Sequence, residues 1–317
     1  MMVMSLPDLT APSPAALYGS VQFDMPSRIT GRTYRIFVFK PDSSAPPSGY
    51  PVIVGTDGNM VFPIMATVSA TFALIGRAAL VVCVGYPTDE PTQLFSLRSR
   101  DLTPPTPASG LPQRPGQPPP NLEDYGGSEQ FYGFLVQELR PAIAAAYHVD
   151  ANDQTLYGHS IAGLFTLNVM FNHPEAFRNF VASSPAVWWN KHSMLGEAPA
   201  FARKLRDGMA APRALILVGG KEQDVPSQLP PQMTGAIAAK LPWVPAVFRS
   251  LIAKVVVKKM LLDWRMVDNA RDLAKQLREV NGARASQIHF HEFEGEDHLS
   301  VLPASIGRAL GFALRSD

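Results

Sequence analysis

Apolar positions along the chain fall into two kinds of run. Near the start, Val21, Phe23 and Met25 alternate with polar residues, and Thr33 to Phe39 reads as a second strand after the turn Thr30-Gly-Arg32. Together they predict an antiparallel hairpin. Pro51 to Gly55 and Leu80 to Gly85 are instead continuously apolar, the signature of strands buried on both faces. A helix-length stretch, Phe62 to Ile75, joins them as a β-α-β unit.

Beyond residue 125 the rhythm continues. Phe131, Phe134, Leu135, Leu139 and Ile143 recur at spacings of three and four, which predicts a helix over Ser128 to Tyr147. Pro141 should kink or divide it. Then come Thr155 to Gly158 (strand), Ile161 to Phe171 (helix), Phe180 to Ser183 and Ala214 to Val218 (strands). Met266 to Val280 (helix), Gln287 to Phe293 (strand) and Ser305 to Leu314 (helix) complete the series. The expected fold class is α/β. One domain spans the chain, with a mostly parallel central sheet, helices on both faces and antiparallel strands at its beginning. Such sheets place their sites at the carboxyl ends of the strands.

Two stretches break the pattern. Eight prolines lie between Thr103 and Pro120. Proline fixes φ and removes a donor, so this is a stiff loop. Pro226 to Leu262 is far longer than the usual connection of about 2–6 residues. It is apolar, carries five basic residues and no acidic one, and reads as a helical insertion after a strand. It would form a cap beside the site, with a positive mouth that steers anionic or carboxylated substrates. Alternatively it is a dimer or membrane-surface contact.

Composition narrows the class. Hydrophobic residues make up 46% of the 317 residues and charged ones 17%, below the globular average of about 25%, so a disordered chain is excluded. The formal net charge of +1 lacks the basic excess of a nucleic-acid partner. Cys83 is the one cysteine, which leaves no internal disulfide or Cys-based zinc site; it is expected to be a small buried hydrophobe. His289 and His291 share one face of a strand but have no third ligand nearby in sequence, so no metal or cofactor is expected. Residues 1–7 show no basic, apolar leader pattern, and no long uncharged run marks a membrane span. A cytoplasmic protein is the expectation.

The chemistry centres on Tyr157-Gly-His-Ser-Ile-Ala-Gly-Leu164. An apolar strand, a Gly-x-Ser turn and a helix make a nucleophile elbow. The usual second glycine is Ala162 here. A serine that only N-caps a helix would give a similar string. Chain order adds weight, because an acid and then a histidine must follow the serine. Glu222 and Asp224 follow the strand ending at Val218, and His298 follows the strand ending at Phe293. Ser160, one of those acids and His298 are therefore the catalytic candidates. His159 flanks the serine and is expected to pack or to orient the elbow.

These residues and several more in order resemble the putative-esterase family of the α/β hydrolases, including its siderophore trilactone esterases. The motifs are Asp57-Gly-Asn-Met60, Val84-Gly-Tyr86, Arg98-Ser-Arg-Asp-Leu-Thr-Pro104, Gly126-Gly-Ser128, Gly158 to Leu164, Ser184-Pro-Ala-Val-Trp-Trp189 and Gly295-Glu-Asp-His-Leu-Ser300. The resemblance implies a serine esterase acting on a small-molecule ester, with Ser160 as nucleophile and His298 as base. It implies an oxyanion hole from the N–H groups of Ile161 and of Gly58 or Asn59. Glu222 is the preferred acid, although some members work with a Ser–His pair. Arg98 resembles an arginine placed near substrate, its alternative being a structural ion pair to Asp101. Trp188 and Trp189 either line the pocket, with His159, or pack beneath it. An acyltransferase using the same acyl-serine, or a binding protein with a decayed site, are the competing readings.

Overall fold

A computed structural model of the chain describes residues 16–111, 120–208, 212–224, 235, 238–239 and 242–315. The core of the proline-rich loop (112–119) and most of the first half of the insertion (225–234, 236–237 and 240–241) lie outside the described residues.

The hairpin forms as expected. β1 (Ser20–Pro26) pairs antiparallel with β2 (Thr33–Phe39). β3 (Tyr50–Thr56) and β4 (Leu80–Gly85) are parallel neighbours. β5 (Val149–His159), β6 (Asn179–Ser183), β7 (Arg213–Gly219) and β8 (Ile288–Phe293) complete one sheet of order β1-β2-β4-β3-β5-β6-β7-β8, parallel from β4 onward. The apolar runs are buried on both faces by alternation. Val52, Val54, Leu80, Val82 and Val84 enter one core layer. Ile53, Val81 and Cys83 enter the other, with Phe62 and Met65.

Helices cover both faces: α1 (Gly58–Ala73), α2 (Pro91–Leu102), α3 (Ser128–Gly133), α4 (Arg140–Ala146), α5 (Ile161–Asn172), α6 (Ala198–Arg206), α7 (Ala246–Trp264), α8 (Met266–Asn281) and α9 (Val301–Ala313). Three departures from the sequence pattern have physical causes. α1 starts four residues before the expected Phe62, because Asp57 adopts a left-handed φ of 58° and turns the chain directly into a helix at Gly58. Pro141 does not break its helix. A π turn over Phe134–Leu139 precedes it, and Pro141 then falls at the start of α4, where its missing N–H costs least. α9 begins at Val301 rather than Ser305, since Pro303 sits in its first turn.

The insertion is helical where described. α7 buries Ala253 and Val257 in a small cluster of its own with Ala238, Val256, Met260 and Leu261. No helix among the described residues is long and apolar enough to cross a membrane.

Candidate active site

The elbow is built by steric necessity. β5 delivers Ser160 at φ 62°, ψ −119°, a backbone conformation unfavourable for a residue with a side chain. The turn closes so tightly that a Cβ on Gly158 would overlap the Ala162 carbonyl, and one on Gly163 would press on the Ser183 carbonyl and Pro185. Ala162 itself is fully buried. The Ser160 main chain is pinned on both sides: its N–H donates to Ser183 O at 2.9 Å, and its carbonyl accepts from Ala186 N–H at 3.1 Å. Its side chain makes no cap bond to α5, so the N-cap alternative does not describe it.

The Ser160 hydroxyl instead lies 3.0 Å from His298 Nε2. His298 Nδ1 lies 2.6 Å from Glu222 Oε2. Neighbouring loops bring these groups together. Gly220 N–H donates to Phe293 O at 2.8 Å and Lys221 N–H to Glu296 O at 2.9 Å, tying the loop after β7 to the loop after β8. Asp297 accepts from the N–H groups of Leu299 and Ser300, each at 2.9 Å, which fixes the turn carrying His298. The Glu222 side chain is wholly buried, while the His298 side chain is 39% exposed. Asp224, the other acid considered, is exposed, and its N–H closes a turn to Lys221 O.

The second oxygen of Glu222 accepts from Gly219 N–H at 2.7 Å and from the Ser184 hydroxyl. Ser184 is fully buried at φ 44°. The sequence reading did not single it out as a site residue. Its signal was the Ser-Pro step directly after β6.

The helix starts expected to supply an oxyanion site follow neighbouring strands. Gly55 pairs with Tyr157 in register, so Asp57 and the start of α1 lie level with the end of β5. The first bonds of α1 run from Met60 and Val61 N–H to Asp57 O, and α5 begins with Leu164 N–H to Ser160 O. The N–H groups of Gly58, Asn59 and Ile161 precede those ladders, where a helix leaves its donors free. The Asn59 side chain is engaged elsewhere, bridging Tyr86 N–H and O at 2.8 and 2.9 Å.

Arg98, on α2, does not pair with Asp101. Its Nε and Nη2 grip both oxygens of Asp57, at 2.9 and 2.6 Å. Burial opposes the Arg98 charge, but Asp57 outweighs it and holds the guanidinium above its ordinary range. Asp101 is taken by Arg32 and by the hydroxyls of Tyr34 and Tyr86. Arg32 and Tyr34 come from the β1–β2 hairpin, 69 and 67 positions from Asp101, and Tyr86 from the loop between β4 and α2.

His159 is buried, so it does not line an open pocket. Its Nδ1 lies 3.1 Å from the Ser183 hydroxyl, and its ring lies 4.8 Å from that of His298. Burial, then the neighbouring His298, lowers its pKa to about 3. The two tryptophans divide. Trp189 packs in the core and donates to Thr106 at 2.8 Å. Trp188 is half-buried and stacks on Trp264, at the end of α7, with ring centres 4.7 Å apart and planes within 9°. His289 and His291 pack edgewise on Phe312 and Phe293.

Comparison with known proteins shows the family. The family model described as Putative esterase matches residues 27–302. The chain is 36% identical over 302 residues to the ferri-bacillibactin esterase BesA of Bacillus subtilis, covering 92% of this chain and 89% of that protein. It is 32% identical over 313 residues to the siderophore triacetylfusarinine C esterase of Aspergillus fumigatus, covering 94% of each. The crystal structure of the BES protein from Bacillus cereus superposes with a TM-score of 0.74 at 28% identity, over 96% of this chain and all of that one. The match over most of its length places this chain in the Putative esterase family of the α/β-hydrolase fold, as a carboxylic ester hydrolase.

Proposed function

We propose that this protein hydrolyses ester bonds of a siderophore through an acyl-serine intermediate, as a single-domain enzyme with 226–262 as its cap. The observation that carries the reading is the continuous chain from Glu222 to His298 to Ser160, at 2.6 and 3.0 Å. The substrate class rests on two relatives that cover most of the chain and act on siderophores by name.

In this reading His298 Nε2 takes the Ser160 proton as Oγ attacks the ester carbonyl. The negative oxygen of the tetrahedral intermediate is held by the N–H of Ile161 and that of Gly58 or Asn59, each donor contributing roughly 3 kcal/mol. The intermediate collapses by expelling the alkoxide, which takes the proton from His298 and leaves as an alcohol. Water then attacks the acyl-serine through the same histidine, releasing a carboxylic acid and restoring Ser160. Glu222 keeps Nδ1 protonated and offsets the imidazolium charge. Arg98 acts through Asp57: the paired grip holds the left-handed turn from which α1, and with it the Gly58 and Asn59 N–H groups, is launched.

Trp188 and its partner Trp264 form the aromatic rim, while Trp189 supports it from below. The intact geometry speaks against a decayed binding protein. Labelling by a fluorophosphonate probe tests the nucleophile. A single adduct on the wild type that disappears in Ser160→Ala is expected, and labelling that persists in that variant would overturn the assignment. The reading carries with it a cytoplasmic location, which cell fractionation tests.

A further inference from the structure

α7 has an unusual outer face. At 3.6 residues per turn, Phe248, Leu251, Ile252, Val255 and Leu262 fall within an arc of about 100°. All five are between 40 and 59% exposed, and Trp243 just before the helix is 76% exposed. The buried Ala253 and Val257 lie on the opposite side. This helix is therefore apolar both inside and out, whereas a helix packed on a soluble body keeps a polar outer face. Scattered exposed apolar residues need no explanation, but a contiguous stripe marks an interaction surface.

The charges around the stripe identify what covers it. Lys254 and Lys258 border one edge, Arg249 the other, and Lys259 stands in the stripe one turn before Leu262. The sequence has no acidic residue between Asp224 and Asp263. A second copy of this chain laid face to face would set four basic residues against four, with only Asp263 at the end of each helix to offset them. A surface with apolar depth and negative charge satisfies both halves of the face. Since no described helix can span a bilayer, the helix lies along it rather than across it. Lysine stems can extend from the stripe to a headgroup layer while the apolar residues enter beneath it.

We propose that α7 docks the protein in the plane of an anionic lipid bilayer. The helix ends at Trp264, stacked on Trp188, and the Trp188 loop holds the Ser160 carbonyl through Ala186. Docking therefore sets the rim of the active site against the lipid surface, so that ester substrate partitioned there reaches the serine directly. The proposal stands apart from the esterase reading, because bilayer binding is measured without turnover.

The test is co-sedimentation of the full chain with vesicles of phosphatidylcholine alone and of phosphatidylcholine mixed with phosphatidylglycerol, at low and high salt. Binding to the anionic vesicles at low salt, and its loss at high salt, is expected. Combined Lys254→Gln, Lys258→Gln and Lys259→Gln should weaken it about a hundredfold, at about fivefold for each lysine. Combined Phe248→Ser, Leu251→Ser and Val255→Ser should also weaken it. Both variants should keep the wild-type thermal unfolding midpoint and far-ultraviolet circular dichroism, which shows them folded. The proposal is overturned by no binding to anionic vesicles at low salt, or by equal binding to neutral and anionic vesicles. It is also overturned by a wild-type dimer in sedimentation velocity that the serine variant dissolves while lipid binding is unchanged.

Discussion

Replacing Glu222 with glutamine separates the role of the third group from that of the serine and histidine. The wild-type carboxylate is buried and uses both oxygens. Oε1 accepts from Gly219 N–H and the Ser184 hydroxyl, and Oε2 faces His298 Nδ1. A glutamine fits the same space but has one oxygen. Gly219 N–H can only donate, so the amide must turn its oxygen there and its NH2 toward His298. Two donors cannot face each other, so Nδ1 must become the acceptor and Nε2 must carry the proton. In that tautomer Nε2 cannot accept the Ser160 proton. The corresponding tautomer trap in a Ser-His-Asp enzyme costs about 10⁴ in turnover, or about 5 kcal/mol at the transition state. Steady-state hydrolysis of an aryl acetate by Glu222→Gln should therefore show kcat reduced by about three to four orders of magnitude with KM nearly unchanged. Thermal unfolding close to wild type would show that the site kept its shape. A folded Glu222→Gln with kcat within a few-fold of wild type would refute the reasoning, and would mean that Ser160 and His298 work as a pair.

Three further expectations concern groups around that core. Arg98→Lys leaves one contact to Asp57 in place of two, so kcat should fall about tenfold to a hundredfold with KM little changed; a raised KM with unchanged kcat would instead make Arg98 a direct substrate contact. His159 titrates near 6.5 when unfolded but only at about pH 3 when folded, so its stabilising effect is present above pH 6.5 and is lost as pH falls toward 3. Between those values the unfolded chain holds the extra proton, and stability should drop by about 1 kcal/mol per pH unit; urea unfolding of His159→Asn should show a shallower decline over pH 6 to 4. Trp188→Ala removes a stack worth about 0.5–1.5 kcal/mol and should raise KM for siderophore esters about three- to tenfold while kcat stays within twofold, measured by product release.

What could be read from the sequence follows from what each feature depends on. The buried strands were visible because runs such as Leu80 to Gly85 need no partner to be recognised as apolar. The elbow and the order Ser160, Glu222, His298 were visible because they combine local sterics with chain order. The choice of Glu222 over Asp224 became geometric only with the backbone bonds that join the loops after β7 and β8, and backbone donors leave no trace in residue identity. Ser184 escaped because its hydroxyl meets Glu222 only through the fold, 38 positions away. For Arg98, expected near substrate, the alternative of an ion pair pointed to Asp101, one turn along the same helix, whereas the partner is Asp57, 41 positions away. α2 and α6 were not anticipated as helices. α7 gave no clear helical period because apolar residues occupy both of its faces.

The central claim is that Ser160 cleaves siderophore esters. The most direct measurement incubates the enzyme and Ser160→Ala with ferric and iron-free bacillibactin and triacetylfusarinine C, and follows the products by liquid chromatography and mass spectrometry. The account predicts that at least one of these is opened by the wild type, each cleavage adding one water. It predicts that Ser160→Ala is slower by about a million-fold in turnover. Cleavage by a folded Ser160→Ala at a rate near wild type, or no cleavage of any siderophore ester by an enzyme that readily turns over aryl acetates, would contradict it.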